Sequence, residues 1–117
     1  MNNKKINDID QLSRSFVEGI VNFFGAKCND ICVKEKRNTP MGYFFIDFTL
    51  YDYFVVICEY KQGLVSFYIP FGSSAIRIKN VQARVESFDM KKLLTELELE
   101  ITLRIPDKYL QKKGWIR

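Results

Sequence analysis

The segment from Gly42 to Pro70 constrains the fold of this chain more than any other stretch. It reads GYFFIDFTLYDYFVVICEYKQGLVSFYIP, three runs rich in aromatic and β-branched residues that are separated by very short breaks. Such residues suit a pleated, half-buried sheet better than a helix. The segment therefore predicts a central antiparallel meander, in which Gln62-Gly63 forms a two-residue hairpin turn.

The break at Tyr51-Asp52 decides which side chains of the meander share a face. A two-residue turn would pair Leu50 with Tyr53, whereas a loop of odd length would pair Leu50 with Phe54. We prefer the odd-length loop, because it gathers most of the apolar side chains on one face of the sheet. These side chains are Phe44, Ile46, Phe48, Leu50, Phe54, Val56, Cys58, Tyr60, Val65, Phe67 and Ile69.

The segments on either side of the meander predict a helix and two further strands. Apolar residues recur at three- and four-residue spacing from Asp8 to Phe24, which indicates an amphipathic helix, and residues 1–6 are expected to be disordered. Residues 31–36 alternate as a strand whose two lysines mark a sheet edge. Ala75 to Lys79 predicts the last strand, with a bulge or break near Asn80.

Two periodicities compete after Asp89. The leucines and isoleucines of residues 97–105 alternate as in a strand, but Met90 to Arg104 also fits a helix that Asp89 can cap. Strong helix formers dominate this stretch, so we predict a helix and keep the strand as the alternative. A second, short helix is expected to run from Pro106 through Lys113, with Trp115 folding back onto the core.

The chain therefore predicts one α+β domain over residues 1–117. Its centre is an antiparallel meander of four to five strands, and the N-terminal amphipathic helix and the C-terminal helices are expected to pack on one face. No apolar run reaches the length of a signal peptide or a membrane span. We expect a cytoplasmic monomer that has no membrane partner.

The residue inventory argues against most enzymatic and metal chemistry. The chain has no histidine, which removes the commonest general base and metal ligand. Cys28, Cys32 and Cys58 lie among apolar residues and are expected to be buried free thiols. No phosphate-binding loop or nucleophile elbow is present. The sequence therefore predicts no cofactor and no metal.

The net charge of +4 arises entirely in the C-terminal part of the chain. Residues 77–117 contain ten basic and six acidic side chains, while the remaining charges balance. This excess favours an acidic partner. A nucleic-acid-binding protein would more often carry a stronger basic stripe, so no nucleic-acid partner is expected.

One catalytic alternative remains. Asp47 on one strand and Glu59-Tyr60-Lys61 on the next resemble, in spacing alone, the D…ExK pattern with which nucleases of the restriction-endonuclease type hold a divalent metal. Asp47 and Glu59 would bind Mg²⁺, and Lys61 would stabilise charge at the scissile phosphate. The odd-length loop is the register that places these side chains on one face. Ordinary charges at the end of a strand explain the same residues.

The second face of the predicted sheet mixes tyrosines with charges, which is typical of a protein-binding surface. The alternative is that the C-terminal segment covers much of this face. Lys34 and Lys36 are placed at its margin. The predicted binding residues are Tyr43, Asp47, Tyr53, Glu59, Lys61, Tyr68, Arg77 and Lys79.

The C-terminal run LRIPDKYL at residues 103–110, followed by Gly114-Trp115, resembles the end of small immunity proteins from bacterial contact-dependent growth inhibition and related polymorphic toxin systems. The resemblance implies a cytoplasmic protein without catalysis that binds one cognate toxin domain and blocks its active site. Contacts differ from one toxin–immunity pair to the next, so the resemblance assigns no binding residues.

A toxin-neutralising immunity protein is therefore the leading functional hypothesis. The Mg²⁺-dependent nuclease and a non-catalytic adaptor subunit of a bacterial assembly are the alternatives. A large secreted-toxin gene immediately upstream would favour immunity over both.

Overall fold

The fold is an antiparallel sheet with helices on one side, which confirms the predicted α+β class. The structure, a computed structural model, describes residues 3–38 and 42–115, with side chains from Ile9 onward. The helices are α1 (Asn3–Phe24), α2 (Met90–Thr102) and α3 (Asp107–Lys113). The strands are β1 (Cys28–Arg37), β2 (Tyr43–Leu50), β3 (Phe54–Lys61), β4 (Leu64–Phe71) and β5 (Ser74–Arg84). They pair in the order β1-β2-β3-β4-β5.

The register of the first hairpin follows the odd-length prediction. Leu50 pairs with Phe54, and the loop between them contains the three residues Tyr51 to Tyr53. The next hairpin turns at Gln62-Gly63 with φ of 53° and 79°, which is the left-handed pair that a tight two-residue turn requires.

The apolar face predicted for the meander is the floor of the hydrophobic core. All of its side chains are buried except that of Phe54, which is partly buried. Helix α1 covers this face, and its Phe16 ring lies 5.8 Å from Phe44 and stacks at 5.5 Å on Phe88. Helix α2 adds Leu94, Leu97 and Ile101 to the same core.

The helical alternative for the C-terminal segment is confirmed. The Asp89 carboxylate accepts a hydrogen bond from the Lys92 backbone N–H at 3.3 Å and so caps α2. The helix ends at Thr102, two residues before the predicted end, because the N–H groups of Arg104 and Ile105 donate to carbonyls three residues back rather than four. Helix α3 ends at Lys113, and the following Gly114, whose φ is +79°, terminates it.

Both flanking strands lie at the edges of the sheet. The lysine-bearing strand β1 is one edge, as predicted, and β5 is the other. The predicted irregularity in β5 is also present. Ser66 pairs with Gln82 and Tyr68 pairs with Arg77, so β5 contains three extra residues between these pairs, and Asn80 has a φ of 70°.

Several finer expectations are wrong. Helix α1 begins at Asn3 rather than Asp8, and residues 1 and 2 lie outside the described residues. Lys36 lies on the helical side of the sheet, where it pairs with Asp10 at 2.6 Å, because a bulge in β1 shifts the alternation. Cys32 is exposed rather than buried, because it faces away from the core, whereas Cys58 is fully buried as expected.

No helix in the described part of the chain is long and apolar enough to cross a membrane.

Candidate functional site

The face of the sheet opposite the helices is the candidate binding surface, and we call it the open face. Its side chains take no part in the hydrophobic core, and Val55, near the turn between β2 and β3, is 44% exposed. The C-terminal helices instead add their buried side chains to the core. From β2, β3 and β4 the open face presents Tyr43, Phe45, Asp47, Thr49, Val55, Ile57, Glu59, Lys61, Leu64, Ser66 and Tyr68.

Glu59 lies at the centre of a three-strand cluster, which we call the Glu59 clamp. Tyr43 on β2 donates its hydroxyl to Glu59 Oε2 at 3.4 Å, and Tyr68 on β4 donates to Oε1 at 3.3 Å. Glu59 itself pairs with Phe45 and Ser66, so the tyrosines are its diagonal neighbours on either side. Long aromatic side chains reach across such diagonals. Because side chains alternate between the two faces of the sheet, both tyrosine hydroxyls lie on the same face as the Glu59 carboxylate and can donate to it.

The environment of the clamp keeps both tyrosines protonated. Burial raises the pKa of Tyr43 and of Tyr68 above the ordinary 10.0, and the negative charge of Glu59 raises both pKa values further. Nearby arginines act in the opposite direction, Arg37 on Tyr43 and Arg77 on Tyr68. Both hydroxyls therefore remain hydrogen-bond donors at neutral pH.

Cations border the clamp on both outer strands. On the β1 side, the Arg37 guanidinium lies 4.8 Å from the centre of the Tyr43 ring and also pairs with Glu35. On the β5 side, Arg77 donates to Ser66 Oγ at 3.5 Å and forms a second, close hydrogen bond to Gln82 Oε1.

A basic pocket of about 260 Å³ opens beside the clamp, at the end of the sheet that carries the Gln62-Gly63 turn. Among its described lining residues, Lys61, Arg77 and Arg84 supply three cations, and Glu59 is the one acidic side chain. The remaining lining residues are Gln62, Leu64, Ser66 and Tyr68.

The bulge of β5 shapes this pocket. Arg77 and Gln82 are five residues apart, and they would alternate to opposite faces of a regular strand. The three extra residues of the bulge bring both side chains to the open face, where they meet. A bulge that re-aims side chains beside a site is a recurrent use of this irregularity.

The structure brings together five of the eight predicted binding residues. Tyr43, Glu59, Lys61, Tyr68 and Arg77 lie at one end of the open face. Asp47 lies further along the same face, where it pairs with Cys32 and Ile57.

Two predicted residues lie elsewhere. Tyr53 belongs to the turn at the opposite end of β2, and its ring lies 4.8 Å from that of Tyr109 on α3. Lys79 is exposed within the bulge of β5.

Sequence reasoning missed Arg37, Gln82 and Arg84. The alternation of residues 81–85 carried the signal for Gln82 and Arg84, since these two residues interleave with apolar neighbours. The strand predicted over residues 31–36 stops before Arg37, but β1 extends through it.

The geometry that the nuclease alternative requires is partly present. Asp47 and Glu59 share the open face as diagonal neighbours, and Lys61 lies on it too. However, both Glu59 oxygens accept hydrogen bonds from tyrosines, and β3 leads directly into another strand rather than a helix. Within the described residues, no group of three or more Cys, Asp and Glu side chains could hold a metal ion.

A second polar cluster lies at the other end of the molecule. Tyr51 donates its hydroxyl to Glu98 Oε2 at 2.7 Å, and Lys27 approaches the same oxygen at 3.4 Å. Trp115 packs edge-on against the Tyr51 ring at 5.4 Å, and the Tyr109 hydroxyl donates to the Tyr51 carbonyl at 3.0 Å. A cavity of about 390 Å³ adjoins this cluster. The C-terminal run thus holds the turn between β2 and β3 in place.

Comparison of the chain with protein-family models, with curated proteins and with solved structures finds no match.

Proposed function

We propose that this chain is an immunity protein that binds a cognate toxin domain through the open face and blocks the active site of the toxin. The carrying observation is the Glu59 clamp with its flanking arginines, on a sheet face that takes no part in the core. Tyrosine and arginine are the residues that most often dominate binding energy at protein interfaces. The C-terminal resemblance supports the same function, and the proposed protein is a cytoplasmic monomer.

The clamp provides a pre-organised recognition element. Tyr43 and Tyr68 are tied to Glu59, so their rings lose little conformational freedom when a partner packs on them. The exposed cations at the margin speed encounter with an acidic patch. In this proposal the rings supply affinity, while Arg37 and Arg77 supply orientation and association rate.

The direct test is calorimetric titration of the full chain against the toxin domain encoded by the adjacent upstream gene, together with rescue of growth when both are co-expressed. We expect binding below micromolar Kd and restored growth. Absence of binding at micromolar concentration would contradict the proposal. A different upstream gene product that is not a toxin, but that binds the open face, would favour the adaptor alternative.

Two alanine variants test which surface of the chain binds the toxin. Tyr68→Ala should weaken toxin binding by at least about 30-fold, the scale of a binding hot spot. Leu99→Ala is the matched control, because Leu99 is 57% exposed on α2, beside the 390 Å³ cavity and away from the open face. A loss of binding in Leu99→Ala with none in Tyr68→Ala would move the interface to the helical side.

A second candidate function is a Mg²⁺-dependent nuclease that uses Asp47, Glu59 and Lys61. The register of β2 and β3 is compatible with it, because these three side chains share the open face. Plasmid cleavage with Mg²⁺ or Mn²⁺ tests it in the wild type and in Asp47→Ala and Glu59→Ala. Cleavage that both substitutions abolish would support the nuclease. Equal cleavage in all three proteins, or none in any, would eliminate it.

A further inference from the structure

We infer that the basic pocket receives a carboxylate side chain, Asp or Glu, from the protein partner. This inference rests on the proposed function for the identity of the partner and adds the chemistry of its contact. The pocket combines a cavity of about 260 Å³ with three cations around a buried hydroxyl, that of Ser66. The volume suits one acidic side chain rather than a large ligand.

The cations of the pocket form no ion pair with an acidic side chain of the described residues. Among the ion pairs between described residues, none involves Lys61, Arg77 or Arg84. The hydrogen-bond partners of Arg77 are the neutral groups of Ser66 and Gln82. With three cations and one carboxylate among its described lining residues, the pocket keeps a net positive charge.

Glu59, the acidic side chain in the lining, does not pair with the cations of the pocket. Its two carboxylate oxygens accept hydrogen bonds from Tyr43 and Tyr68. The clamp therefore orients this carboxylate toward the tyrosines while the arginines remain available. A guanidinium group is a planar fork that matches a carboxylate with two parallel hydrogen bonds. An incoming Asp or Glu would find that geometry at Arg77 or Arg84.

The charge pattern around the pocket favours a protein carboxylate over a nucleic-acid phosphate. A nucleic-acid backbone requires a continuous basic track, because its charges repeat at short intervals. Beyond the basic pocket the open face carries Asp47 and Glu35, which would repel the next phosphates. An isolated acidic side chain within a polar protein segment avoids that repulsion.

The first test measures calorimetric binding of the toxin domain to two charge-reversed variants of the full chain. Arg84→Glu reverses a pocket cation that makes no hydrogen bond or ion pair in the described structure, and Lys91→Glu makes the same charge change on the exposed surface of α2. We expect Arg84→Glu to weaken binding by at least about 30-fold and Lys91→Glu by less than about threefold. Equal effects of the two substitutions, or none, would overturn the pocket assignment while the immunity function stands.

The second test needs no toxin. A glutamate-containing hexapeptide, its glutamine counterpart and a single-stranded oligonucleotide are titrated into the isotope-labelled chain, and backbone amide shifts are followed by NMR. We expect the glutamate peptide alone to shift Ser66, Arg77 and Arg84. Shifts with both peptides, or with neither, would refute carboxylate recognition, and stronger shifts with the oligonucleotide would reassign the pocket to phosphates. Should the toxin fail to bind while the glutamate peptide shifts these residues, the immunity function fails and the carboxylate chemistry stands.

Discussion

Gly42 is the position where a single methyl group should do most damage to the frame of the open face. It precedes Tyr43, the first residue of β2, and has a φ of +77°. A Cβ atom added to it would overlap Ile9 Cδ1 and lie 2.9 Å from Ile9 Cγ1. Ile9 is a buried contact of α1 with the core. Gly42→Ala therefore tests both backbone strain and the packing of α1 on the sheet.

The expected loss in the free energy of unfolding has two parts, backbone strain and overpacking. A left-handed backbone costs an L residue about 1–2 kcal/mol, and the reduced freedom of the unfolded chain returns about 0.4–1 kcal/mol. Overpacking against a buried side chain adds about 1–3 kcal/mol. Gly72→Ala isolates the first part, because Gly72 has a φ of +63° and nothing within 4 Å of the added Cβ. We expect a loss of about 3 kcal/mol for Gly42→Ala and of about 1 kcal/mol for Gly72→Ala.

Urea unfolding, followed by the fluorescence of the single tryptophan, measures both losses. The difference of about 2 kcal/mol corresponds to a gap in Tm of about 8 °C for a domain of this size. Ile9→Val removes the atom nearest to the new methyl group, so Gly42→Ala combined with Ile9→Val should lose about 1 kcal/mol less than the sum of the single losses. Equal losses for Gly42→Ala and Gly72→Ala would refute the steric part of the reasoning.

Four further predictions concern the polar clusters and the cap of α2. Tyr51→Phe should lower the free energy of unfolding by about 1.5 kcal/mol in urea titrations, because Glu98 loses a charge-assisted donor but remains partly open to water. Glu59→Gln should lower the pKa of both clamp tyrosines in an ultraviolet titration, yet leave each above 10.0 because burial remains the first cause of the raised values. In the wild type the folded state holds these two protons more tightly than the unfolded chain, so stability should be full below pH 10.0 and fall as the pH rises through the raised pKa values. Asp89→Ala should cost about 1 kcal/mol through loss of the bond to the Lys92 N–H, whereas Asp89→Asn should cost less, and equal losses would contradict capping.

Most of the fold was predictable because its determinants are local or periodic. The alternation in the meander assigns an apolar face under only one register, and Leu50 does pair with Phe54. Short-range backbone geometry likewise favoured the helix at α2, which Asp89 caps, and ended α3 at Gly114. Such signals survive in a single sequence.

The rest depends on where bulges fall. The bulge in β1 turned Lys36 toward α1, and the bulge in β5 brought Arg77 beside Gln82. One inserted residue moves every later side chain of the strand to the opposite face of the sheet. The alternation of apolar residues does not show how many residues a bulge inserts. The strand alternation was enough to predict that the clamp residues share one face of the sheet. Predicting the basic pocket also required knowing how many extra residues the bulge of β5 contains.

The structure also changes how the C-terminal resemblance bears on binding. Residues of that run are used for folding, since Ile105 and Leu110 are buried in the core and Tyr109 donates to the carbonyls of Tyr51 and Asp52. This segment therefore stabilises the frame that carries the open face. Under the proposed function, recognition then belongs to the open face, where substitutions leave the core intact. The C-terminal segment stabilises the fold, while residues of the open face can change without loss of the core. This arrangement suits a protein that must bind one toxin specifically and exclude others.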